Sequence, residues 1–228
     1  MNNKLKKIFI FIVLGTVSFI KISGILGSTK FFFSGVNFFI PLLGAFFGGF
    51  ASSLFIINFF VYKFIFGKSM FTFGIPTLFA SLVWAFSLKN KKENLTRILN
   101  FLLSVFLPLL CMFLFILHPV GKLAFVYSFY WFIPVILYFI QKYRKTDSIF
   151  IISLTSSFVA HAIGSVIWLY ILPTTQYYWI LLIPCVAVER LVFSCGMAFS
   201  YLFIKKFINY KYPDKNFIYE PKPTNSAI

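Results

Sequence analysis

Acidic residues are nearly absent. The 228-residue chain has 5 Asp and Glu against 21 Lys and Arg, a formal net charge of +16. Charge of either sign is scarce, at 11% of residues against roughly a quarter in an ordinary soluble domain. That scarcity, in so apolar a chain, excludes a water-soluble globular enzyme and a disordered chain. Cysteine occurs three times, as Cys111, Cys185 and Cys195, inside apolar runs and without a C-x-x-C pair. A disulfide scaffold and a thiol redox motif are excluded with it. Histidine occurs twice, as His118 and His161, so the H-E-x-x-H of an intramembrane zinc protease is missing. No two glutamates are adjacent, and no P-loop is present. Phe193-Ser194-Cys195-Gly196 sets a serine near a glycine, with no base or oxyanion hole to make it a nucleophile. The chain is expected not to be an enzyme, with no cofactor and no metal.

What is present is hydrocarbon. Hydrophobic residues make up 60% of the chain and aromatics 22%, with 35 Phe, and the mean hydropathy is +0.91. Several apolar runs approach or exceed the ~18 residues that mark a membrane helix. The expected fold is all-α: a polytopic transmembrane helix bundle, multi-pass, in the cell membrane.

The positive charge falls in short loops between apolar spans. Lys4, Lys6 and Lys7 precede the first run, and Lys89, Lys91, Lys92 and Arg97 form a second cluster. Lys142, Arg144 and Lys145 form a third, and Lys205, Lys206, Lys211, Lys215 and Lys222 the last. This is the positive-inside pattern, which calls for phospholipid headgroups and not for nucleic acid.

Four spans are clear. Ile98–His118 and Leu123–Gln141 flank the breaker-rich tip His118-Pro119-Val120-Gly121-Lys122, a helical hairpin. Ile149–Leu172 and Tyr177–Ile204 flank the uncharged turn Pro173-Thr174-Thr175-Gln176. Trp168, Tyr170, Tyr177, Tyr178 and Trp179 bracket that turn as an interfacial aromatic belt opposite the basic loops. In the first ninety residues, Ile8–Leu26 reads as an uncleaved span, since no A-x-A site follows it, and Ser69–Leu88 as another. Between them, Phe31–Phe66 is broken at Gly48-Gly49 into Phe31–Phe47 and Phe50–Phe66. At ~1.5 Å per residue these barely cover a ~30 Å core. An even number of crossings keeps all four basic clusters on one side. Six to eight spans with both termini cytoplasmic are therefore expected, in one domain over 1–208. Residues 209–228 read as a polar cytoplasmic tail.

Of the five acids, only Glu189 lies within a span, about half-way along it and beside Arg190. A charge at mid-membrane costs ~2.5–3.5 kcal/mol on insertion scales, so it is kept for a partner or a polar cavity. Adjacent residues on a helix point about 100° apart, which argues against an ideal Glu189–Arg190 pair. His161, at the middle of the preceding span, is the natural partner across the short turn. Small residues around it, Ala160, Gly164 and Ser165, permit close helix approach. The three groups read as a structural clamp, a buried ligand site or a proton relay. As a site, His161, Glu189 and Arg190 would bind substrate, with Trp168 at its outer edge.

Ile40-Pro41-Leu42-Leu43-Gly44-Ala45-Phe46-Phe47-Gly48-Gly49, Gly74-Ile75-Pro76-Thr77 and the polar final helix pair resemble the substrate-binding S components of energy-coupling factor transporters. The resemblance covers Ile8–Leu88 and Ile149–Ile204. It implies six core helices, with a hairpin over about 98–141 as an insertion. It also implies a small-molecule substrate such as a vitamin or other micronutrient, a transmembrane coupling subunit and cytoplasmic ATPases. The expected function is that of a substrate-binding subunit for solute transport. The alternative is a structural or assembly membrane protein without a ligand.

Overall fold

The computed structural model describes residues 21–26, 29–34, 36–49, 53, 57, 71–89 and 93–208, and most of these are helical. An antiparallel hairpin comes first: β1 (Lys21–Leu26) pairs with β2 (Thr29–Ser34), Lys21 opposite Ser34 and Leu26 opposite Thr29. This corrects two expectations. Residues 21–26 do not end a membrane helix, and Phe31–Phe47 is not one helical segment, because Phe31–Ser34 belongs to β2. The sequence carries the reason. Gly27-Ser28 has the composition of a two-residue hairpin connection, and the aromatic run before Ser34 favours a strand. Residues 8–20, most of 50–70 and the tail from 209 lie outside the described residues.

A helical turn, Val36–Phe39, leads into α1 (Ile40–Gly49), which opens as a 3₁₀ turn with Pro41 near its start. Gly48, at the expected Gly48-Gly49 break, has φ +77, a left-handed conformation that glycine adopts without a Cβ clash. The other helices are α2 (Phe71–Leu88), α3 (Asn94–Leu117), α4 (Pro119–Leu123), α5 (Phe125–Arg144), α6 (Ile149–Ile171) and α7 (Gln176–Ile208). α3 widens to a π turn at Leu102–Phe106, just before Pro108, whose missing N–H disrupts the regular ladder. The hairpin tip is corrected from a breaker loop to a helical turn. Pro119 takes the first helical position, and His118 Nδ1 accepts the Val120 N–H at 3.2 Å.

Among the described residues, four helices are long and apolar enough to cross a membrane: α3, α5, α6 and α7. α1 and residues 74–88 of α2 are apolar but shorter. The distribution of side chains supports a membrane protein. Ser81, Ser128, Ser153, Ser156 and Ser194 are fully buried, while Phe113, Ile136, Phe199 and Leu202 point outward. Small polar residues inside and large apolar ones outside suit hydrocarbon, where packing and internal hydrogen bonds hold helices together. Accordingly, Ser153, Thr155 and Ser194 hydroxyls donate to carbonyls one turn back in their own helices. The Ser156 hydroxyl crosses to the Ala80 carbonyl at 2.9 Å.

α6 is the centre of the bundle and packs against α2, α3, α5 and α7. Two apolar cores flank it. One gathers Phe115, Tyr127, Trp131, Leu169 and Trp179. The other gathers Leu42, Trp84, Ile152, Met197 and Tyr201, with Trp84 5.2 Å from Tyr201. The hairpin over 98–141 is thus built into the core: its Phe115, Tyr127 and Trp131 rings sit against Leu169 of α6 and Trp179 of α7.

Candidate functional site

The middle of α6 presents His161, and the facing stretch of α7 presents Glu189 and Arg190. The 3₁₀ opening of α5 adds a group that the sequence did not single out. Tyr127 is fully buried, and its hydroxyl meets His161 Nε2 at 2.9 Å and Ser165 Oγ at 3.2 Å. His161 therefore takes Tyr127 as its partner and not Glu189. The signal for Tyr127 was thin. It was one polar-tipped aromatic in a hairpin full of aromatics, and its height relative to His161 depends on a 3₁₀ stretch that pattern does not reveal.

The Glu189–Arg190 pair forms after all. Arg190 Nη2 lies 2.8 Å from Glu189 Oε1, with side chains 13% and 27% exposed respectively. The 100° between neighbours on a helix is overcome by two long, flexible stems with few polar alternatives in an apolar bundle. The contact is single-pronged, as that angle requires. The guanidinium also reaches the Ser157 carbonyl at 3.5 Å and lies 4.7 Å from the Phe193 ring centroid. Its Nε is buried with no hydrogen-bond partner among the described residues. Arg190 is close enough for its charge to act on both His161 and Tyr127. The cluster thus spans α5, α6 and α7.

No family model, curated protein or solved structure matches the chain. The meaning of the cluster therefore rests on its own geometry.

The aromatic residues near the Pro173–Gln176 turn behave differently from the interfacial belt expected of them. Trp179 is buried between Phe115 and Tyr127, edge-on to both, and its Nε1 donates to Thr174 Oγ1 at 3.0 Å. It is a core residue that ties the turn to the start of α7. Trp168 is half-buried against the same core, and among the described residues it makes no hydrogen bond or ring contact with His161, Glu189 or Arg190. Tyr170 and Tyr177 stay exposed, as an interfacial belt requires. Tyr130 adds a cross-tie, its hydroxyl donating to the Ile183 carbonyl at 2.7 Å.

Chemically, the cluster offers a fixed positive charge with an unused donor, a carboxylate beside it, and a tyrosine–histidine hydrogen bond. An anionic group suits the guanidinium. Among the described residues no three His, Cys, Asp or Glu side chains gather to hold a metal ion.

Proposed function

We infer that this chain is a multi-pass cell-membrane subunit that binds a small solute bearing a carboxylate or similar anionic group and serves its uptake. One observation carries the reading: a guanidinium only 13% exposed, mid-way along an apolar helix, with its Nε buried and unpartnered among the described residues. A charge in that position costs ~2.5–3.5 kcal/mol on insertion scales, and a purely packing helix has no need of it. Arg190 binds the anion, Glu189 orients Arg190, and the His161–Tyr127 pair supplies a further hydrogen bond. Without a P-loop in the chain, energy comes from partners. In line with the resemblance to energy-coupling factor S components, these are a transmembrane coupling subunit and ATPases.

Native mass spectrometry of the detergent-purified protein tests this. The wild type carries a small molecule, and Arg190→Lys, which keeps the charge but loses the planar fork, carries much less of it while remaining folded. A wild type that never carries a solute, in membranes from cells grown on rich medium, overturns the reading. The second reading, a structural clamp, is favoured by one fact: the Glu189 carboxylate and the Ser157 carbonyl already engage two of the three guanidinium nitrogens.

The proposed topology has six to eight crossings, both termini cytoplasmic, and the Pro173–Gln176 turn outside. It rests on the basic loops. Reporter fusions after Arg97, Lys145 and Lys206 all report the cytoplasm. One external signal among the three reverses the orientation.

A further inference from the structure

A second polar place lies at the basic end of the bundle. Arg97 sits in the first turn of α3 and Lys142 in the last turn of α5. The two helices form one antiparallel hairpin, so both cations stand at the same membrane boundary. Between them is a cavity of about 520 Å³. Its lining includes Arg97, Asn100, Gln141 and Lys142 on the polar side, and Ile98 and Phe101 on the apolar side.

The polar side is rich in donors. Gln141 is 6% exposed, and its Nε2 is buried with no hydrogen-bond partner among the described residues. An amide N–H₂ left that way costs about 1–3 kcal/mol unless something accepts from it. The Asn100 carbonyl oxygen already takes the Ser87 and Ser104 hydroxyls at 3.2 and 3.3 Å, which leaves its N–H₂ end as the free donor. The nearby carboxylate, Glu93, is engaged elsewhere. It pairs with Lys89 at 3.0 Å, and hydrogen bonds from Lys89 and then Thr96 hold it below its ordinary range. Neither Arg97 nor Lys142 has an ion-pair partner among the described residues. Arg97 instead donates to the Asn94 side chain.

The apolar side is open. Ile98 and Phe101 are exposed, and the Phe101 ring meets Tyr138 of α5 at 5.8 Å. Donors and positive charge on one side, at the depth of headgroups, with hydrocarbon-facing side chains on the other, describe an amphiphile with an anionic head.

We propose that the cavity between the start of α3 and the end of α5 binds the phosphate of an anionic phospholipid. Arg97 and Lys142 neutralise the phosphate, Gln141 Nε2 donates to one of its oxygens, and Ile98 and Phe101 carry the first part of an acyl chain. The lipid fills a site that basic residues alone do not define, because the buried Gln141 amide requires an acceptor whatever the bulk membrane charge. The site is separate from the Arg190 cluster and stands whether or not that cluster binds a solute.

The test uses the full chain, purified in a maltoside detergent and stripped of lipid. Dioleoyl phosphatidylglycerol, dioleoyl phosphatidylcholine and inorganic phosphate are added in separate arms. Bound lipid is counted by native mass spectrometry, and thermal stability is followed in parallel. Phosphatidylglycerol is retained and raises the unfolding temperature; phosphatidylcholine does neither. Arg97→Gln with Lys142→Gln, both at exposed positions, lowers phosphatidylglycerol retention about tenfold or more while the stripped protein unfolds at the wild-type temperature. Gln141→Leu lowers retention with both cations still in place. Equal retention of the two lipids, or unchanged retention in the double variant, overturns the proposal. A stability shift from inorganic phosphate alone, lost in the double variant and not reproduced by lipid, overturns the lipid assignment in favour of a free phosphate.

Discussion

Gly121→Ala destabilises the protein by about 2–3 kcal/mol, at the upper end of overpacking costs, or prevents its accumulation altogether. Gly121 lies in the short helix α4 at the hairpin tip, and a Cβ there collides with the Phe115 backbone carbonyl and comes within 3.0 Å of the Leu169 side chain. Neither neighbour gives way easily. Phe115 is fully buried, with its ring 5.2 Å from Trp131 and 5.1 Å from Trp179. Moving its backbone therefore displaces the aromatic core that joins α3, α5 and α7. Gly44→Ala behaves alike, since a Cβ on α1 meets the Ser81 backbone carbonyl of α2. Gly164→Ala is the control: its Cβ finds only Pro76, at 3.6 Å, an ordinary contact. On α6 that change is neutral, or stabilising by up to about 1 kcal/mol through helix propensity. Thermal unfolding in detergent separates the three. A Gly121→Ala protein as stable as Gly164→Ala refutes the account of the tip.

The contrast between Gly121 and Gly164 shows what the sequence could and could not tell. Both sit among small or breaker residues, and pattern alone suggested that Gly164 was the close-packing position. The helix pair over 149–171 and 176–208 was readable because run length and an uncharged Pro-Thr-Thr turn set its bounds to within a few residues. The hairpin over 94–144 was readable for the same reason. Its tip was not, because a proline and a glycine signal a break or a capped helical turn equally well until His118 is seen to cap it. The strand pairing of 21–26 with 29–34 was hidden because an apolar run of helical length has no period to distinguish it from two short strands. At the candidate site, depth alone placed His161, Glu189 and Arg190 in one layer of the bundle. Partner choice depended on side-chain reach, which sequence does not encode: Arg190 turned to its own neighbour, and His161 turned to Tyr127 on a third element.

The Glu189–Arg190 pair gives the other large effect. Arg190→Leu and Glu189→Leu each destabilise the protein by about 2–3 kcal/mol, because each leaves one charge in the bundle without its counter-ion. The value falls below the ~3–5 kcal/mol of a fully buried pair because the Glu189 side chain retains 27% exposure. The double variant Glu189→Leu/Arg190→Leu recovers most of that loss, since it removes both desolvation costs and leaves apolar volume beside Phe193. The cycle therefore has a coupling energy of about 2 kcal/mol or more, read from thermal or denaturant unfolding in detergent. Single variants that each cost less than about 0.5 kcal/mol would mean that the pair is solvated like a surface ion pair, and its placement in the bundle interior would be refuted. The double variant also separates function from architecture. It restores the fold without restoring any anion-binding donor, so solute capture is abolished in a protein of near wild-type stability. If a solute stays bound to that stable double variant, the site lies elsewhere in the bundle and Arg190 belongs to its framework.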